Sequence, residues 1–495
     1  MILTLLILLP LVGALVTAVV PGALARLVGL GFAVATLVTG VVAATQYDVG
    51  GGMQLTETRT WIESLGVHYA LGVDGLGLLM VLLTVVLVPI VLLAGWREAD
   101  AEGNSGARAF FAWTLALESL SLAVFTATDV LLFYVVFEAT LIPAYFLIGG
   151  FGRAGRGRAA TKFLIYQLAG GLIMLASVIG LYVVSADAGQ PSFLISDLAA
   201  IDIDETTQRW LFVGFFIAFA IKAPMFPVHT WLADTTEKAT TGTSVLLVCI
   251  LDKIGTFGML RFCLGLLPDA SQWATPVVVA LALVSIIYGA LVAIGQDDVL
   301  RLIGLTSLSH FGFIVLGIFV FSSTGGAGAI LYMVNHGIAT ALMFLVAGFL
   351  IRRTGTASIR EMGGVERTAP VLAGIFLVAG LAACGLPGLS PFVSEMLVIV
   401  AAFDHHWVVG SVAVLAIVLA AFYALWMYQR TMTGPGRVDA VPVADLDRRE
   451  VGVLAPLVLA LVLFGFYPMP LLDVINPVVH DTLAGVGVSQ EGGQP

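Results

Sequence analysis

Residues 222–232 read KAPMFPVHTWL, and residues 384–396 read CGLPGLSPFVSEM. Each stretch lies in an apolar run long enough to cross a bilayer, and each sets two prolines beside an ionisable side chain. Pro224 and Pro227 in one, and Pro387 and Pro391 in the other, remove helix N–H donors and clash with the carbonyl four residues earlier. Both spans should therefore be interrupted, with Gly385 and Gly388 adding freedom to the second. Non-helical backbone at membrane depth survives only where protein or water satisfies it. A passive kink is the plain alternative at either break alone. The functional alternative gains weight because Lys222 adjoins one break and Glu395 the other.

Composition supports the bilayer setting. Hydrophobic residues make up 59 % of the 495-residue chain and charged residues 11 %, against about 25 % charged in soluble domains; the mean hydropathy is +1.05. The chain reads as one all-α integral membrane bundle. Its net charge of -10 comes from loops and says little about partners, and nucleic acid is excluded as a ligand. Cys249, Cys263 and Cys384 show no CxxC spacing, so no disulfide framework, zinc site or iron–sulfur ligand set is expected. They read as small packing residues, and no metal site is expected at all. No Gly-rich phosphate loop appears, so neither flavin nor nucleotide should bind.

About fourteen transmembrane spans can be counted, near residues 1–20, 27–45, 76–95, 108–127, 130–149, 161–184, 209–232, 242–266, 275–295, 302–321, 327–351, 369–403, 407–429 and 451–471. Ala23-Leu24-Ala25 resembles a signal-peptide cleavage site, but no basic residue precedes the apolar core. Lys and Arg side chains concentrate in alternate loops. Arg26, Arg97, Arg108, Arg153, Arg156, Arg158, Lys162, Lys238, Arg301, Arg352, Arg353, Arg360, Arg367, Arg430, Arg437, Arg448 and Arg449 share one side, whereas only Arg59 and Arg209 occupy the loops opposite. The positive-inside rule then puts both termini on the outer side of the membrane. The tail after Asp473 reads as loosely ordered.

Six ionisable residues lie within the spans: Glu138, Lys222, Lys253, His310, His336 and Glu395. A charge at mid-bilayer costs roughly 2.5–3.5 kcal/mol on insertion scales, so a band of them points to use; charges that merely pin helices together are the bland alternative. At about 1.5 Å per residue, Glu138 and Lys222 lie roughly 14 and 18 Å deep and can face each other. Lys253 lies near the centre, and the remaining three form with it a belt in the membrane plane, suited to lateral proton transfer. An ion pair at 4 Å and an effective dielectric near 20 is worth about 4 kcal/mol, while moving one charge against about 150–200 mV costs roughly 3.5–4.6 kcal/mol. The broken spans are the seventh and twelfth. Five crossings is an odd offset, so two five-helix units related by it have opposite orientation, as in inverted-repeat transporters. The chain divides accordingly into 1–107 (three spans), 108–266 and 275–430 (the two units) and 431–495 (the last span and tail).

Eight segments carry a family resemblance: YALGVDGLGLLMVLLT (69–84), FYVVFEATLIPAYFLIG (133–149), IKAPMFPVHTWL (221–232), LDKIGTFGMLRF (251–262), YGALVAIGQDDVLRLIGLTSLSHFGFIVLGI (288–318), MVNHGIATALMFL (333–345), GLPGLSPFVSEML (385–397) and LWMYQR (425–430). Together the chain resembles the antiporter-like membrane subunits of respiratory complex I (NADH:quinone oxidoreductase), themselves similar to subunits of multisubunit sodium/proton antiporters. The resemblance is strongest to the chain M branch, because Glu395 stands where sister chains carry lysine and no long lateral C-terminal helix follows. It implies a proton-translocating subunit in which Glu138 and Lys222 form a coupling pair, Lys253 is the central lysine, His310 and His336 connect, and Glu395 is the terminal site. It also implies no cofactor on this chain, redox chemistry on partner subunits of the peripheral arm, and neighbouring antiporter-like subunits in the membrane.

Glu118 matches a further family glutamate and is a possible accessory. So is Asp252, which stands where an apolar residue is usual; it could act on Lys253 or simply face outward. TTEKATTG (235–242) and Gln296-Asp297-Asp298 also depart from the family pattern. His68 and His229 read as helix-end or loop residues that carry no protons, and Asp74 as a helix cap. Two other readings remain open: a cation/proton antiporter subunit without a redox partner, and a spacer whose charges only fix packing.

Overall fold

The computed structural model describes residues 1–96, 103–189, 191–435 and 443–487. Among them, twelve helices are long and apolar enough to cross a membrane, and two further crossings are broken midway. The spans are α1 (Ile2–Val19), α2 (Gly22–Thr45), α3 (Gly75–Ala94), α4 (Gly103–Thr126), α5 (Val130–Gly150), α6 (Arg156–Asp187), α7a and α7b (Glu205–Lys222, Thr230–Lys238) and α8 (Thr241–Leu264). There follow α9 (Pro268–Ile294), α10 (Val299–Phe319), α11 (Ser323–Thr354), α12a and α12b (Pro370–Ala383, Ser390–His405), α13 (Trp407–Met432) and α14 (Arg448–Phe466). The bundle encloses α8 and α10 completely and α11 nearly so. These three carry Lys253, His310 and His336.

Loop contacts test the alternation of the crossings. At one end Arg153 pairs with Asp298 at 2.8 Å, Lys162 with Asp234 at 2.6 Å, Arg301 with Asp234 and Glu237 at 2.7 and 2.8 Å, and Arg352 with Glu450 at 2.7 Å. At the other end Val130 N donates to Phe193 O at 2.8 Å, Gln208 Nε2 to Asp269 Oδ2 at 2.9 Å, and Gln272 Nε2 to Val486 O at 2.6 Å. Among the described residues, loops expected on one side meet one another and not those of the other side, as fourteen crossings require. Arg97 and Arg437 lie outside the described residues. Asp445, between α13 and α14, accepts the Val371 and Leu372 N–H groups at 2.9 Å each and so anchors the start of α12a. Burial works against its charge, but these bonds outweigh it and hold the carboxyl below its ordinary value.

Both proline breaks occur, and protein bonds several of the peptide groups in them. In the first, Trp231 Nε1 donates to Ile221 O at 3.0 Å, Met225 N to Ala220 O at 2.9 Å, and Phe226 N to Ser285 Oγ of α9 at 3.0 Å. In the second, Leu386 N donates to Leu381 O at 3.0 Å, and Asn335 Nδ2 of α11 to Ser390 O at 2.8 Å.

The structure departs from the sequence reading in four places. Residues 54–62 and 67–73 form an antiparallel hairpin, β1 and β2, so His68 lies in a strand. The tail is not loose up to Gly485. After Pro468 the chain forms α15 (Met469–Gly485), whose Ile475, Val479 and Leu483 are buried at the i, i+4 spacing of a one-sided apolar stripe; residues 488–495 lie outside the described residues. Helix α5 is interrupted at Thr140, where Pro143 crowds the carbonyl of Ala139 and gives it no N–H. Helix α8 contains two π-helical segments, Leu246–Leu251 and Met259–Leu264. Asp74 caps α3 by accepting from Gly77 N at 2.9 Å, and also pairs with Arg261 at 2.8 Å.

The α7a–α8 contact is close enough to require glycine. A Cβ on Gly255 would lie 2.4 Å from Ala223 N and 2.6 Å from Phe219 O, which are backbone atoms that cannot rotate away. Gly255→Ala should therefore cost about 1–3 kcal/mol through overpacking, read as a lowered Tm or reduced yield of folded protein in membranes. An unchanged Tm would contradict this packing.

Candidate functional site

Three helix interruptions converge on the ionisable residues. Glu138 ends the first part of α5, Lys222 ends α7a, and Glu395 lies just inside α12b. Glycine makes room for both carboxylates: a Cβ on Gly171 of α6 would lie 1.8 Å from Glu138 Oε1, and one on Gly385 would lie 2.0 Å from Glu395 Oε2. Gly385 also has φ +66°, a left-handed conformation that side chains on an L-residue rarely adopt.

Glu138 and Lys222 are apart in this structure. Among the described residues no ion pair within 4.0 Å joins them. Lys222 Nζ instead donates to Thr140 Oγ1 at 3.4 Å and lies 4.8 Å from the centre of the Phe137 ring. Glu138 Oε1 has no hydrogen-bond partner, and the residue is half-buried while Lys222 is buried. Phe133, Phe219, Phe257 and Phe262 pack ring against ring beside them, with centroids 4.5–6.5 Å apart. Such walls supply little solvation, so the lysine depends on Thr140, the Phe137 face and nearby carboxylates.

In the second half of the site a row of buried groups runs from Lys253 to Glu395, hydrogen-bonded at its two ends, while His336 Nε2 has no hydrogen-bond partner. Lys253 Nζ lies 2.7 Å from His336 Nδ1 and 4.2 Å from the Phe311 ring centre. The His336 and His310 rings follow, centroids 5.2 Å apart. His310 Nε2 lies 3.2 Å from Tyr423 Oη. Tyr332 lies against both histidines at 5.9 and 6.2 Å and donates its hydroxyl to Glu395 Oε1. Lysine, two imidazoles, a phenol and a carboxylate thus form a row of groups that can each exchange a proton, all buried.

The accessory candidates separate. Glu118 is buried and neither carboxylate oxygen has a partner. Asp252 is buried beside the relay, not turned outward. His229 is buried at the end of the first break, stacked near Phe226 and Tyr288. Thr140, Tyr332 and Tyr423 are participants that the sequence reading missed. Tyr332 had a signal, since it precedes His336 by four residues and so shares its helix face. Thr140 and Tyr423 had none, because hydroxyls are common in membrane helices and only the packing brings these two to the site.

Residues 127–420 match the family described as NADH:quinone oxidoreductase/Mrp antiporter, transmembrane region. The chain is 48 % identical to NADH-quinone oxidoreductase subunit M of Mycobacterium tuberculosis (strain ATCC 25618 / H37Rv), over 97 % of this chain and 93 % of that one. It is 36 % identical to subunit M of Rhodobacter capsulatus, over 92 % and 90 %. A chain of respiratory complex I from Thermus thermophilus with bound NADH superposes with a TM-score of 0.90 at 34 % identity, covering 99 % of this chain and all of that one. A chain of the Mrp complex from Dietzia sp. DQ12-45-1b gives 0.87 at 20 % identity, over 98 % of each, which is a likeness of fold.

Tyr332→Phe removes the hydroxyl that Glu395 Oε1 accepts from. A buried acceptor left unsatisfied costs about 1–3 kcal/mol, so this variant should lower the Tm and shift the carboxyl infrared band that Glu395→Gln abolishes. A carboxyl band unmoved by Tyr332→Phe would rule the bond out.

Proposed function

The chain belongs to the NADH:quinone oxidoreductase/Mrp antiporter family of membrane subunits, and from that premise we propose that it conducts protons in the membrane arm of a bacterial NADH:quinone oxidoreductase. The observation that carries the reading is the buried row of packed proton-exchanging groups from Lys253 through His336, His310 and Tyr332 to Glu395. Near-full-length identity to subunit M chains supports the complex I branch, whereas likeness to the Mrp chain extends to fold alone.

In the proposed cycle, a change in the neighbouring subunit sets the distance between Glu138 and Lys222. Close approach stabilises the ammonium; separation, as in this structure, leaves Thr140 and Phe137 as its nearest partners and favours release. The proton passes to Lys253. Lys253 gives its proton to His336 Nδ1, and the imidazoles and Tyr332 deliver one to Glu395, which discharges it outward. Glu138 suits the coupling role because it is half-buried at the flank of the bundle, where a partner subunit can reach it.

This chain holds no cofactor in the proposed scheme, and NADH oxidation and quinone reduction belong to partner subunits of the peripheral arm. Residues 108–266 and 275–430 act as the two half-channels, and both termini face outward. A membrane-impermeant thiol reagent applied from outside should then label Thr60→Cys but not Arg158→Cys in intact cells. The reverse pattern would invert the topology.

Lys222→Ala and Glu395→Gln, in vesicles bearing the assembled complex, should each lower proton uptake driven by NADH at least tenfold. NADH oxidation by an artificial acceptor, which reads the redox arm alone, should be unchanged. Normal pumping in both variants would reduce the buried charges to packing elements.

A further inference from the structure

A gap separates Lys222 on α7a from Lys253 on α8, and the Asp252 carboxylate stands beside it. Asp252 is 1 % exposed and its Oδ2 has no hydrogen-bond partner. An orphaned carboxylate oxygen in a membrane core is costly enough to require a reason.

Its position follows from the backbone. Asp252 N donates to Leu247 O at 2.9 Å, the last bond of the π-helical segment Leu246–Leu251. That extra residue rotates everything after it relative to the inner end of α8. Three residues on, Gly255 shares the face of Asp252 and touches Ala223 N and Phe219 O of helix α7a and its break. Asp252 therefore looks toward helix 7 next to Lys222. Lys253, about 100° further round the helix, looks the other way, toward His336 of α11. Asp252 and Glu138 are the two carboxylates within electrostatic reach of Lys222. Lys253 and Lys222 are in turn the charges acting on Asp252.

We propose that Asp252 is the relay carboxylate between the two lysines, taking a proton from Lys222 and passing it to Lys253. In the first step the Lys222 ammonium gives its proton to the Asp252 carboxylate, leaving a neutral amine and a neutral acid. In the second the acid gives that proton to the neutral Lys253 amine, restoring the carboxylate and forming the Lys253 ammonium. No charge is created or lost across the pair of steps. The carboxylate also lets the two ammonium groups coexist at mid-bilayer, which two unscreened cations could not do cheaply. This rests on reading Lys222 and Lys253 as successive proton carriers.

The test uses the assembled complex in inverted membrane vesicles, with Asp252→Asn, Asp252→Glu and Lys222→Ala measured in parallel. Asn has the shape of the protonated acid, which every cycle would create, so Asp252→Asn should assemble fully. It should lower NADH-driven proton uptake at least fivefold, and Asp252→Glu should recover at least half of the normal rate. Infrared difference spectra taken on turnover should show a protonated-carboxyl band that is absent in Asp252→Asn and displaced in Asp252→Glu, which a packing role would not produce. Pumping by Asp252→Asn above one fifth of normal, its failure to assemble, an Asp252→Glu chain as slow as Asp252→Asn, or the absence of that band would each overturn the assignment. Lost pumping in Lys222→Ala with normal pumping in Asp252→Asn would sink the bridge and leave the relay standing; normal pumping in Lys222→Ala would sink both.

Discussion

Trp231 Nε1 donating to Ile221 O illustrates the constraint on which the molecule depends: in a bilayer, each peptide group freed by a helix break must be satisfied by protein. The breaks at Pro224 and Pro387 are tolerable because α8, α9, α10 and α11 wrap them. The same wrapping buries the charges. Ser285 and Asn335 reach into the irregular segments and bond groups there. Satisfying the backbone and building the relay are thus one packing problem, since Asn335 bonds Ser390 O from the same helix that carries His336.

A second consequence concerns where solvation is withheld. The phenylalanine cluster around Lys222 and the ring of Phe311 against Lys253 give each lysine an apolar wall with one polar side. A lysine so placed can hold or lose its proton according to small changes in its neighbours. Glu138 stands at the edge of this environment and Glu395 at its far end, each pressed against a glycine that leaves just enough room for carboxylate oxygens. The membrane-plane arrangement follows, since the three enclosed helices present their polar residues at a common depth.

Some of this was legible from particular residues. The paired prolines beside Lys222 and Glu395 located both broken crossings, and the alternation of basic loops fixed the number of spans that the loop contacts then required. The kink at Thr140 was readable in principle from Pro143, but a single proline in a membrane helix is too common to stand out. Helix α15 was misread because the Gly- and Pro-containing tail after Asp473 suggests loose order, whereas the helix starts at Met469 and carries Pro477 inside it. The π-helical segments of α8 left no mark in an apolar sequence such as LLVCIL.

The sequence by itself determined the solvent, the crossings, the breaks and the identity of the buried ionisable groups, because hydrophobicity, proline and charge are properties of single residues or short runs. Only the tertiary structure decided which of those groups touch. Lys253 meets His336, Glu138 stands apart from Lys222, Tyr332 and Tyr423 join the row, and Asp252 turns inward, since these outcomes depend on helix rotation. One π-helical residue or one glycine contact shifts that rotation by a large part of a turn, and no local pattern encodes the result.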